Sequence, residues 1–328
     1  MIRLTASELL SILLIACSAG APAACLAPSA VASLGSASSF AINTTVSSSS
    51  GTVNLNCGSG SIVSLLPGDY IRLSLAGASN TNGSRAALKL NNGSDSIAVK
   101  LCSTQNCATE LLVGGTSVTY NSSQLANLLG TMGGLNFAIP LYLQTLTGQN
   151  VAAGTYTVTL NVMVDYSICT GLGIAGLCLS GSQQTGSAIE PMTVTLNVTN
   201  DCIAIVAPNI SFGSAPLVTL FAPVSQSIVI NCTKDSTYSV GLSNGNHAVN
   251  NTRNMANGSA MLSYELYKST SINRWGSVGS ERWSSVLSSA ISSDGTFRTY
   301  QYVAKILPDQ ATPPVGNYSD NIVVDLTY

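Results

Sequence analysis

A strand that occurs twice constrains this chain more than any other feature. Residues 154–166 read GTYTVTLNVMVDY and residues 316–328 read GNYSDNIVVDLTY, so Gly154, Tyr156, Val162 and Tyr166 match Gly316, Tyr318, Val324 and Tyr328. The two segments are one repeated strand. After the first copy a loop leads to residues 191–199 (PMTVTLNVT), where Met192, Val194, Leu196 and Val198 alternate with polar residues as a half-buried strand requires. No such strand follows the second copy. The second half is therefore expected to expose Ile322, Val324, Leu326 and Tyr328 along an open edge, a state that proteins avoid unless another chain supplies the missing strand.

The 328 residues are enough for two domains with a core each, predicted at 24–200 and 201–328. Short strands with period-two alternation and Gly, Asn or Ser turns recur throughout, so the fold class is all-β, two immunoglobulin-like β-sandwiches with the second incomplete. In the first half strands are expected near 40–46, 52–57, 70–75, 86–90, 97–102, 112–120, 136–146, 156–166 and 192–198. In the second they are expected near 227–232, 238–242, 261–267, 298–306 and 318–328. Charged residues make up 8% of the chain and the net charge is -2, which excludes the clustered cations that nucleic-acid binding needs.

Arg3 and the apolar run Leu9 to Ala16, followed by Ala21-Pro22-Ala23, have the form of a signal peptide over residues 1–23. Leu14-Ile15-Ala16-Cys17 also fits a lipoprotein box, which would make Cys17 a lipidated N-terminus. Of the nine cysteines, removal of Cys17 leaves Cys25, Cys57, Cys102, Cys107, Cys169, Cys178, Cys202 and Cys232. An even number in an exported chain reads as disulfides. Cys25 and Cys57 open the first half at nearly the spacing with which Cys202 and Cys232 open the second, so neighbours are paired, and likewise Cys102 with Cys107 and Cys169 with Cys178. A metal site is the rival reading, but there is no C-x-x-C spacing and only one histidine.

Landmarks in the second half carry a family resemblance. Phe212-Gly213, Val229 to Cys232, Arg253-Asn254-Met255, Leu262 to Tyr267, Trp275-Gly276 and Val315 to Asp320 resemble the spore coat protein U domain, a family that includes subunits of archaic, Csu-type chaperone-usher pili. In the first half the resemblance rests on cysteine spacing and the repeated strand. It implies an immunoglobulin-like pilin lacking its last strand. A periplasmic chaperone supplies that strand during export through an outer-membrane usher, and the next subunit replaces it in the fibre. A shaft pilin carries a donor extension before its first cysteine, whereas almost nothing precedes Cys25 in the expected mature chain. The resemblance thus implies a subunit that accepts a strand without donating one, a two-domain adhesin at the pilus tip on the cell surface that supports biofilm formation.

Catalytic motifs are weak beside this. Gly171 to Gly176 spell G-x-G-x-x-G with Glu190 downstream, but two cysteines expected to be bonded flank the motif and no βαβ unit follows. His247 has no visible catalytic partners, and the carboxylates are unpaired. Trp275 and Trp283 read as packing residues. Asn-X-Ser/Thr sequons, as at Asn43, Asn92 and Asn257, arise by chance in an Asn- and Ser-rich chain. The chain is therefore read as no enzyme, with no cofactor and no metal.

Aliphatic residues fall instead in loops. Because sandwich strands alternate in direction, loops 58–68, 121–135 and 167–188 should share the end that points away from the second half. They carry Ile62, Val63, Leu65 and Leu66; Leu128, Leu129, Met132 and Leu135; and Leu172, Ile174, Leu177 and Leu179. Either these form an exposed apolar patch or some fold back as a cap on the core. The resemblance favours exposure, since Csu-type tip adhesins hold plastics and other apolar, abiotic surfaces through hydrophobic distal loops. A glycan-binding adhesin and a structural coat or shaft subunit are the rival functions.

Overall fold

A computed structural model describes residues 25–27, 30–57, 65–129, 135–171, 173–174, 176–179, 183–270 and 272–328. Among them the chain is all-β, with two separate hydrophobic cores. The first half comprises β1 (Ala30–Ser38), α1 (Ser39–Thr44), β2 (Ser48–Asn56), β3 (Tyr70–Ala78), β4 (Thr81–Asn82), β5 (Arg85–Leu90), β6 (Ser96–Cys102), β7 (Val118–Asn121), α2 (Ser122–Leu125), β8 (Asn136–Thr145), β9 (Gly154–Cys169), β10 (Gly173–Ile174), β11 (Leu177–Cys178) and β12 (Gln183–Thr199). The second comprises β13 (Cys202–Val206), β14 (Val224–Cys232), β15 (Ser239–Leu242), β16 (Arg253–Asn257), β17 (Ala260–Lys268), β18 (Trp283–Ser284), β19 (Ala290–Ile291), β20 (Phe297–Ile306) and β21 (Val324–Thr327).

The long β9 organises the first half. Its Thr and Val residues suit a pleated surface, and alternate side chains from Tyr156 to Ile168 point into the core. On one edge it pairs with β5 at its start and β3 further along, and on the other with β12 over its whole length. In β12, Met192, Val194, Leu196 and Val198 face the core and β1 runs parallel along the outer side. The opposing layer is β5-β6-β8-β2, so the core lies between two faces of one bent sheet.

The second half repeats part of this pairing, without strands that correspond to β12 and β1 among the described residues. β15 pairs β21 as β3 pairs β9, β16 meets Ser319 as β5 meets Thr157, and β14-β20-β17 repeats β2-β8-β6. No described residue lies where β12 lies beside β9. Segment 207–216, the counterpart of β1, accordingly forms no strand, because the partner it would run along is missing. Trp275 and Trp283 pack edge to face at 4.9 Å in this core, and the Trp275 indole donates to the Val240 carbonyl at 2.9 Å.

Several strand expectations need correction. Residues 40–46 contain helix α1, not a strand: Ser38 caps it by accepting from the Ala41 N–H at 3.2 Å, and Ile42 anchors it in the core. β1 was not expected, because its Ala, Ser and Gly residues carry little strand signal. Of 112–120 only the end is strand, and of 318–328 only β21 is, since no described residue pairs along its outer edge. Among the described residues, four disulfides pair Cys25 with Cys57, Cys102 with Cys107, Cys169 with Cys178 and Cys202 with Cys232, as expected. The expected signal segment and Cys17 lie outside the described residues.

The halves meet through a polar joint. The Lys234 ammonium pairs with Asp95 at 2.6 Å, Asn150 donates to the Asp294 carbonyl at 2.9 Å, and the Ser39 and Thr233 hydroxyls share a hydrogen bond of 2.7 Å. Ser39, Asp95 and Asn150 stand at the end of the first half where β1 and β8 stop and β6 and β9 begin.

Candidate functional site

The described ends of the three aliphatic loops meet at the opposite end. Asn56 at the end of β2 faces Asn136 at the start of β8, Tyr70 at the start of β3 faces Asn121 and Ser167, and Cys169 faces Gln183. Each loop is tied to another. The Cys57 N–H donates to the Leu135 carbonyl at 2.9 Å, joining the first loop to the second, and the Cys169 N–H donates to Asp69 at 3.1 Å, joining the third to the first.

The apolar side chains divide between cap and surface. Leu66 and Leu135 are 9% and 1% exposed, so both belong to the core, which corrects the expectation that they project outward. Leu65, Leu128 and Leu129 are partly buried against it. The physical reason is the second loop's fold: Asn121 and Gln124 form a capping box at the start of α2, Leu125 is inserted in the core, and the Leu128 carbonyl accepts from the Ala138 N–H at 3.0 Å. This holds residues 121–129 back against the sandwich. Leu177 and Leu179 do project, at 74% and 45% exposure. Ile62, Val63, Met132 and Leu172 lie outside the described residues, as does the side chain of Ile174.

Leu177 stands on a small hairpin, β10–β11, bridged to the sandwich by the Cys169–Cys178 disulfide. Gly176, at φ +82°, takes the left-handed conformation that its turn requires. Among its described residues, Gly173, Ile174 and Gly176 of the G-x-G-x-x-G sequence lie in a disulfide-bounded hairpin, and no described helix starts there to receive a phosphate. Sequence reasoning missed Asp69. A single Asp after Pro67-Gly68 reads as a turn residue, and only the fold brings it to Cys169.

The second candidate site is the open groove of the second half. Ile210, Phe212, Met255, Tyr264, Tyr318 and Ile322 are among the residues lining a cavity of about 440 Å³, which continues past Phe212 and Met255 into another of about 590 Å³. Of the four residues expected at the open edge, Ile322, Val324 and Leu326 are partly buried against the second core, and Ile322 and Val324 line this cleft. Tyr328 is largely exposed, its ring edge on to Tyr238 at 6.3 Å and its hydroxyl 3.0 Å from the Cys202 sulfur. The Tyr264 hydroxyl donates to Asp320 at 2.7 Å, and Asp320 accepts from the Asn246 N–H at 2.8 Å, so the approach to β21 is fixed although it pairs on one edge only.

An all-β chain of two sandwiches, one closed and one open along a hydrophobic groove, has an incomplete-sandwich architecture. The chain belongs to the Spore Coat Protein U domain family, which it matches over residues 12–163 and 188–325, so membership covers both halves. No curated relative matches it in sequence. Among solved structures it is similar to the CsuC–CsuE chaperone–tip adhesion subunit pre-assembly complex from archaic chaperone-usher Csu pili of Acinetobacter baumannii. That likeness has 23% identity over 93% of this chain and 100% of that chain, with a TM-score of 0.53. Weaker likenesses are to the CupB6 tip adhesin of Pseudomonas aeruginosa, at 9% identity over 92% and 94% of the two chains and a TM-score of 0.35, and to the CooA pilin subunit of enterotoxigenic Escherichia coli, at 14% identity over 52% and 99% and a TM-score of 0.30. No helix among the described residues is long and apolar enough to cross a membrane.

Proposed function

We propose that this protein is a tip adhesin subunit of an archaic chaperone-usher pilus, with residues 1–23 as signal peptide, 24–200 as adhesin domain and 201–328 as pilin domain. The observation that carries the reading is the repeated strand: β9 is covered by β12, while its counterpart β21 borders an open apolar groove. A strand entering that groove would pair with β21 by main-chain hydrogen bonds and place alternate side chains over Ile322 and Val324. The chaperone fills it in the periplasm, and the next subunit fills it after passage through the usher.

The distal end of the first half then makes contact with an apolar surface through Leu177, Leu179 and the aliphatic residues of the neighbouring loops. Each inserted aliphatic side chain contributes at most about 1.5 to 3 kcal/mol. Immobilising a tip costs freedom, so single contacts are weak and attachment grows through many pili per cell, as biofilm formation requires. The chain acts by attachment and has no catalytic role. The test is attachment of piliated cells to polystyrene. Leu177→Ser with Leu179→Ser should lower it several-fold while the surface-assembled subunit stays at its wild-type amount, and unchanged attachment refutes the apolar-surface reading in favour of a glycan receptor.

A further inference from the structure

The most unusual group at the distal end is a carboxylate. Asp69 is buried among the aliphatic residues that cap the sandwich, and no described cation pairs with it. Its backbone N–H donates to the Leu66 carbonyl at 2.9 Å, which alone closes the turn. Its side chain does something further. One carboxylate oxygen accepts from the Leu66 N–H at 2.8 Å and the other from the Cys169 N–H at 3.1 Å. Burying a carboxylate is costly unless its hydrogen bonds are strong, and bonds from N–H to an ionised acceptor are of that kind.

Cys169 is the last residue of β9 and one half of the bridge to Cys178. A continuous path therefore runs from the Leu66 turn through Asp69 to Cys169, across the disulfide to Cys178, and on to the exposed Leu177 and Leu179. At its base the hairpin is held by the disulfide and by the pairing of Cys169 with Gln183, the end pair of the β9–β12 ladder and the place where that ladder frays first. Fixing the Cys169 backbone to a second, buried loop opposes that fraying before a surface is met.

We propose that Asp69 is the positioning residue of the distal end, its carboxylate locking the Leu66 turn to the Cys169–Cys178 hairpin so that the apolar contacts are presented as one stiff platform. The proposal rests on the adhesive reading above. It predicts that attachment depends on a side chain that touches no surface.

The experiment uses the full chain in complex with its chaperone, as wild type, Asp69→Ala, Asp69→Asn and Leu177→Ser with Leu179→Ser. Amide hydrogen exchange, the rate at which a small thiol reduces Cys169–Cys178, melting temperature and binding to polystyrene beads are measured on each. Asp69→Ala should speed exchange at Leu66 and Cys169 by about tenfold or more, the factor that one lost charge-assisted hydrogen bond implies. It should also hasten reduction of the hairpin bridge and reduce bead binding, with exchange in β5 and β8 unchanged. Asp69→Asn keeps the shape and one acceptor, and should fall between. Unchanged exchange at Cys169 overturns the proposal, as does a uniform rise across the first half with a lower melting temperature, the mark of a merely structural role. If the leucine variant loses binding and a loosened Asp69→Ala does not, the Asp69 proposal fails alone. Wild-type binding by the leucine variant sinks the adhesive reading instead.

Discussion

Tyr166 and Tyr328 stand at the same place in the repeated strand, yet Tyr166 is 3% exposed and Tyr328 is 60% exposed. The difference is a neighbour. Tyr166 pairs with Gly186 of β12 and its ring lies across that glycine, where an added Cβ would come within 2.7 Å of the hydroxyl. Tyr328 has no such strand beside it. The register carries over: Met192 faces Leu160 in the first half, and the counterpart of Leu160 is Ile322. A strand that fills the groove should therefore oppose Ile322 with an apolar residue.

Appending a copy of residues 191–199 after Tyr328 through a flexible linker should complete the second half. At about 25 cal/mol per Å² of apolar surface removed from water, covering the cleft adds on the order of several kcal/mol. The fused chain should be a monomer with a raised melting temperature and should no longer need a chaperone for recovery. Shifting the appended sequence by one residue turns its polar side chains inward and should remove the gain. Calorimetry on the three chains checks this, and an unmodified chain that melts cooperatively as a monomer at the fused chain's temperature refutes it.

Glu190 makes the first half sensitive to pH. It is fully buried on β12 with neither carboxylate oxygen hydrogen-bonded among the described residues, and burial pushes its carboxyl up to about 7. The opposing influence is the Asn54 backbone N–H, which approaches without completing a hydrogen bond. The folded chain thus holds this proton more tightly than the unfolded chain. Stability should fall as pH rises from about 4.5 to about 7, by on the order of 3 kcal/mol, and level off above. Glu190→Gln should flatten that window in denaturant titrations, and an identical slope in the variant excludes the assignment.

Truncating the distal leucines should separate cap from surface. Leu66→Ala and Leu135→Ala remove buried side chains and should each cost about 2 to 5 kcal/mol. Leu177→Ser and Leu179→Ser alter exposed side chains and should stay within about 0.5 kcal/mol of wild type. Chemical denaturation of the four single variants checks the division. Equal losses at all four positions would mean that the hairpin leucines are also packed.

A buried ion-pair network should govern the second half. Arg253 is fully buried, bonded to the Leu242 and Trp275 carbonyls at 2.9 and 2.8 Å, and paired with Glu265, which also takes Arg274 at 2.7 Å. Desolvation lowers the Arg253 pKa and the Glu265 charge opposes that shift. Glu265→Ala leaves the guanidinium uncompensated and should destabilise the second half by about 3 to 5 kcal/mol. The drop should appear in its unfolding step and leave that of the first half unchanged.

The repeated strand, the alternation of β12 and the eightfold cysteine pattern were legible without coordinates, because strand periodicity and export chemistry are local properties of sequence. Family membership followed from landmarks such as Arg253-Asn254-Met255 and Trp275-Gly276 in their order. What the sequence could not decide was which way an aliphatic loop residue faces. Leu66 and Leu177 look alike in composition and flanking glycines, but a turn closed by Asp69 holds one in the core and a disulfide-bounded hairpin carries the other outward. β1 was equally invisible, since a strand of small residues is specified by the parallel partner it finds in β12. Glu190 shares the phase of Met192 and Val194, so alternation alone puts it on the inner face, but only the closed sheet shows that its carboxylate is fully buried there. Burial depends on contacts between residues far apart in the chain, and those exist only once the sheet has closed.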